Sequence, residues 1–217
     1  MKKKTIAAAI AVAVILVLIL LIKGMGNGKI TEYPYEMDKN NLELGSIFPS
    51  SIDNPDNEFT YGEDIATLEI KNTSGKYLEK ADITVKLADK RTLHFEVEDL
   101  PADMSVWAFE TSNESVEIEV EASKVQCDAT YGTRSDLMVS EFPFTVDGSK
   151  ISFENHTGKD LKKVEVKAHC VFDGMYFGGK SYTYQIKKIP DNKAYELDVP
   201  ECAMGEADVA NININEE

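Results

Sequence analysis

The residues of this 217-residue chain best equipped for chemistry are three histidines, three cysteines and one aromatic hairpin. His94 lies in TLHFEV and faces away from Leu93 and Phe95, as alternation along a strand requires. His156 occupies an Asn-Gly turn at a position where a similar upstream stretch carries Thr73, so the turn does not depend on it. His169 precedes Cys170, and adjacent strand residues point to opposite faces, so the two do not form a dyad. The sequence contains no H-E-x-x-H, H-x-x-E-H or G-x-S-x-G motif and no glycine-rich phosphate loop. The expectation is a protein that is not an enzyme and carries no cofactor and no zinc.

Cys127, Cys170 and Cys202 are too few and odd in number for a disulfide framework. An extracytoplasmic setting permits a Cys170–Cys202 bridge, but the simpler expectation is three buried thiols packing as small hydrophobes. IDNPDNE at 52–58 gathers Asp53, Asp56 and Glu58, oxygen ligands that suit Ca²⁺, but lacks the D-x-[DN]-x-[DN]-G order and reads more simply as a solvated acidic loop. SNESVEIEV, with Glu117, Glu119 and Glu121 on one face, reads as a half-exposed strand whose charges blunt an edge.

The hairpin is DGMYFGGKSYTY at 173–184. Asp173-Gly174 opens it, Gly178 and Gly179 loosen the backbone, and Met175, Tyr176 and Phe177 lie between, with Tyr182 and Tyr184 following. Apolar side chains at such a place mark either a contact surface for a protein or sugar, or a cap folded back over the core. These five residues are the candidate binding site.

The elements that would position them begin with MKKK and an uncharged stretch from Thr5 to Ile22. Twelve of its eighteen residues are Ile, Val or Leu. As a helix it spans roughly 27 Å against a hydrocarbon core of about 30 Å, and its aliphatic residues favour insertion by very roughly 4–7 kcal/mol. It is longer than a signal-peptide core and is followed by LIKGMGNG, with no A-x-A-like cleavage site and no lipid-accepting cysteine. An uncleaved signal-anchor is expected, with Lys2, Lys3 and Lys4 holding the N-terminus in the cytoplasm and the bulk extracytoplasmic. Setting those lysines aside takes the formal charge from −15 to about −18. Such a surface repels nucleic acid and anionic lipid.

Beyond a Gly-, Asn- and Pro-rich stalk at 23–57, holding one short strand in LELGSIF, the chain says nearly the same thing twice. KNTSGKYLEKADITV at 71–85 returns as ENHTGKDLKKVEVKA at 154–168, a shift of 83 residues. In each, alternating apolar residues are broken by Asn, a hydroxyl residue and Gly, which is a strand, a turn and a strand. Further strands follow at sandwich-like spacing in TLHFEV, SVWAF, KVQCDATY, SYTYQI, AYELDV and ADVANINI. The expected architecture is all-β: two tandem immunoglobulin-like antiparallel sandwich modules, at 58–136 and 137–217, behind a tail at 1–4 and an anchor at 5–22.

The second copy resembles the FxLYD family of small bacterial extracytoplasmic domains. The shared features are its N-x-T-G-K-x-L-x-x-V opening and the turn formed by Val171, Phe172, Asp173 and Gly174. The resemblance covers about 70 residues; the first copy keeps the opening but has LADKRT at the turn. It implies a surface β-sandwich without an established catalytic role and assigns no functional residue. Function is therefore expected to be non-catalytic: a bacterial single-pass membrane protein that engages an extracytoplasmic protein or, in the alternative, a cell-wall glycan through the hairpin.

Overall fold

The computed structural model describes residues 35–37, 40–52, 54–56, 64–117, 122–135 and 141–214. The expected tail and anchor lie outside them, and among the described residues no helix is long and apolar enough to cross a membrane.

The described chain is all-β. In order the strands are β1 (Tyr35–Met37), β2 (Leu42–Ser50), β3 (Ile65–Asn72), β4 (Tyr77–Leu87), β5 (Thr92–Leu100), β6 (Ser105–Phe109) and β7 (Ala122–Gly132). They continue with β8 (Phe144–Asp147), β9 (Lys150–Glu154), β10 (Leu161–Phe172), β11 (Met175–Ile189), β12 (Ala194–Asp198) and β13 (Glu206–Ile214). Alternation drives the pairing: Ala81, Ile83, Val85 and Leu87 of β4 are buried, while Asp82 and Lys86 are exposed. A strand so patterned buries one face only by packing against a second sheet.

A seven-stranded sheet runs β1-β2-β3-β6-β11-β10-β13, and two three-stranded sheets run β5-β4-β7 and β12-β9-β8. The first core lies between β2-β3-β6 and β5-β4-β7, where Leu44, Ile70 and Val106 meet Ile83 and Phe95. In the second core, Val166, Ile186 and Val209 of β10, β11 and β13 meet Phe153 and Leu197. The order β2-β3-β6 over β5-β4-β7 thus recurs as β8-β9-β12 over β11-β10-β13. The small sheets cover opposite faces of the long one. On β10, Ala168 and Cys170 turn toward the second core, whereas Val171 packs against the first.

The strand pattern gives no warning of the continuous sheet. It is made where the start of β11 pairs in parallel with β6, Tyr176 opposite Val106 and Phe177 opposite Trp107. β11 is fifteen residues long, and its far half forms the β10 hairpin. Between the Cys170–Phe177 and Ala168–Tyr182 pairs, β10 uses one residue, His169, and β11 uses four. That bulge lets one strand serve both halves of the molecule.

Candidate functional site at the junction of the halves

Tyr176 is fully buried and Phe177 retains 6% exposure; Met175, Tyr182 and Tyr184 are half-buried. The hairpin is docked into the N-terminal half. Tyr176 belongs to the first core, its ring stacks on His169 at 4.4 Å, and its hydroxyl donates to Asp208 Oδ2 at 2.8 Å. Burial first, and Asp208 second, hold that phenol well above its ordinary pKa. Phe177 meets Phe109 edge-on at 5.1 Å and packs with Ile65. Tyr182 donates to the Pro55 carbonyl at 2.9 Å, and Tyr184 donates to Glu201.

Glycine makes the close approach possible. Gly178 has φ +91°, and a Cβ there would lie 2.7 Å from Asp56 Oδ1 and 2.8 Å from Pro55 Cγ. At Gly179 a Cβ would fall 1.9 Å from the Glu96 carbonyl oxygen of β5. In place of side chains the backbone donates: Gly179 N and Lys180 N reach the Asp56 carboxylate at 2.6 and 3.2 Å. Burial nonetheless pushes the Asp56 pKa up to about 6.

A polar cluster seals the other side. Asp99, 2% exposed, accepts from Tyr77 at 2.5 Å, Lys167 at 2.9 Å and Ser181 at 2.5 Å, so residues of both halves converge on one carboxylate. His169 is fully buried, with Nε2 at 2.8 Å from the Glu98 carbonyl. A carbonyl only accepts, so Nε2 carries the proton. Among the described residues Nδ1 has no hydrogen-bond partner, and burial lowers the imidazole pKa to about 4. The histidine expected to face outward from Cys170 does leave the second core, but it enters the junction.

Beside the hairpin lies an apolar notch of about 90 Å³. Ile52, Pro55 and Phe177 line it, with a Cys170–Cys202 disulfide alongside. Phe172, 38% exposed, and Met204, 63% exposed, belong to its lining. Sequence reasoning missed both as site residues. Phe172 was visible only as part of a turn, and Met204 sits just past a 3-10 turn at Pro200–Cys202 where no periodicity marks a face.

The remaining candidates stand apart. His94 is exposed, with Nδ1 3.3 Å from Thr84 Oγ1, and His156 Nε2 lies 2.9 Å from Glu154 Oε2 at the surface. Cys127 is half-buried, and burial pushes its thiol pKa up to about 11. Of the calcium candidates only Asp56 is described, bonded as above; Asp53 and Glu58 lie outside. Among the described residues no three His, Cys, Asp or Glu side chains are grouped to hold a metal ion. Asn72 and Asn155, both in N-x-[ST] sequons, are fully buried and donate to backbone carbonyls. Comparison with protein-family models gives no match, and comparison with curated proteins gives none either.

Proposed function

We propose that the chain is a non-catalytic bacterial surface protein, held by its N-terminal anchor, that binds another extracytoplasmic protein. In this reading its halves are two tandem immunoglobulin-like modules of the FxLYD kind, joined stiffly so that a contact surface is carried at a set distance from the membrane. The recurring strand order supports the architecture. The observation that carries the binding role is the notch. Four large hydrophobic side chains are exposed among the described residues, and two of them, Phe172 and Met204, line this one recess. Apolar side chains gathered at a recess mark contact sites, whereas scattered ones need no explanation.

The test is a crosslinked pull-down of full-length protein from native membranes, run beside a Phe172→Ser/Met204→Ser variant shown to fold by circular dichroism. A stoichiometric protein partner lost in the variant is the expected result. Cell-wall fragments in place of protein would transfer the role to glycan binding. Equal capture by both baits would remove the notch from the function.

A further inference from the structure

We propose that the notch receives one apolar side chain of the partner protein, and that this side chain is flanked by a positive charge. The inference rests on the interaction reading above and names the chemistry of the partner. Size sets the first half of it. An engineered cavity of about 150 Å³ admits benzene, so a recess of about 90 Å³ suits the tip of a branched aliphatic side chain better than an aromatic ring.

The recess is preformed. The Cys170–Cys202 disulfide ties β10 to the 3-10 turn, and Phe177 is held from behind by Phe109. A site that need not be ordered on binding loses less affinity to immobilisation.

Charge sets the second half. Among the described lining residues Glu201 alone is charged, and it also anchors the Tyr184 hydroxyl. A Lys or Arg beside the inserted side chain meets that carboxylate, while an acidic neighbour is repelled by it. The formal charge of −15 works in the same direction and against a second copy of the chain as occupant.

The experiment uses full-length protein in nanodiscs with ¹³C-methyl-labelled methionine. The chain has seven methionines, and Met204 is assigned by its loss in Met204→Leu. Three probes share one branched tail: 3-methylbutylammonium, 3-methylbutanol and 3-methylbutanoate. The expected result is a saturable shift confined to the Met204 methyl, strongest for the ammonium and weakest for the carboxylate. The ammonium should bind about two- to fivefold more tightly than the alcohol, the range exposed ion pairs supply. Glu201→Gln should erase that difference and leave the alcohol unchanged. Absence of a saturable shift with all three probes overturns the proposal, as does an order indifferent to charge. A Met204 shift that grows with protein concentration alone overturns it in favour of a second copy. A partner captured from membranes while Met204 stays silent keeps the interaction reading and moves the contact elsewhere.

Discussion

The two asparagine turns are nearly the same object, and the two stretches that follow them are not. Asn72 donates to Lys76 O at 2.8 Å and Leu100 O at 2.9 Å; Asn155 donates to Lys159 O at 2.9 Å and Ile189 O at 3.0 Å. Each Oδ1 accepts a hydroxyl at 2.7 Å, from Ser74 or Thr157, and each turn closes on a glycine of positive φ. After the next strand the halves diverge. The first turns tightly from β4 to β5 through 88–91, whereas the second extends β11 into the other half and pairs it with β6. What is shared serves the inside of one half. What differs serves the junction between the halves.

The largest expected effect is on the junction. Tyr176→Ala removes a fully buried ring together with its hydrogen bond to Asp208, and large-to-small aromatic substitutions cost about 3–5 kcal/mol. The only tryptophan, Trp107, sits on β6 opposite Phe177 and reports locally. In urea, Trp107 fluorescence of the variant should change before the far-ultraviolet circular dichroism, because the joint opens ahead of the two cores. Coincident transitions in the variant would show that the joint is not a separable element.

Asn72→Ala and Asn155→Ala come next, at about 2–3 kcal/mol each, since buried carbonyls lose their donors. Near-equal losses by chemical denaturation are expected. A twofold disparity would mean that the likeness is one of chain path and not of energetics.

Those turns were legible in the sequence because every group involved lies within a few residues or in an adjacent hairpin. Strands were legible for the same reason: SVWAF is β6, residue for residue, and ADVANINI falls within β13. The junction was not. Its partners are far apart along the chain, as with Asp99 and Lys167 or Asp56 and Gly179. Gly178 and Gly179 read as loop freedom in the sequence, but in the fold they admit Pro55, Asp56 and the Glu96 carbonyl to within a distance no side chain tolerates. The aromatics between the glycine pairs read either as a surface for a partner or as a cap folded over the core, and the contact that Tyr176 and Phe177 make within the chain is with its other half. The notch was invisible because Phe172 and Met204 meet only where β13 pairs with β10 and the Cys170–Cys202 bridge ties the 3-10 turn to that strand.

Acid separates two of the junction's titratable groups, His169 and Asp56, by sign. His169, depressed to about 4, contributes stability that is present above its unfolded pKa near 6.5 and is lost as pH falls toward 4. Asp56, raised to about 6, contributes stability that is present below its unfolded value of 3.8 and is lost as pH rises toward 6. Each contribution is on the order of 3 kcal/mol, so between pH 4 and 6 the two largely offset each other. Asp56→Asn should therefore steepen the acid loss of stability, and His169→Gln should reverse its slope, in urea midpoints measured from pH 4 to 6.5. Parallel profiles for the two variants would remove both groups from the pH response.

The smallest effect is expected from exchanging the hydroxyls of the matched turns, Ser74→Thr with Thr157→Ser. Ser74 Oγ lies 2.7 Å from Asn72 Oδ1 and 3.2 Å from Lys76 O; Thr157 Oγ1 lies 2.7 Å from Asn155 Oδ1 and 3.1 Å from Lys159 O. Both side chains are half-buried at the surface and outside the hydrophobic cores, so the exchange moves one methyl between two partly solvated sites. Surface changes that keep their hydrogen bonds stay within about 0.5 kcal/mol, and the exchanged protein should match the parent to that margin in denaturant midpoint. A loss beyond it, traced to one turn by the single variants, would show that the surroundings of that turn have been adapted to its own hydroxyl. The halves would then differ in their most local feature as well as at the junction.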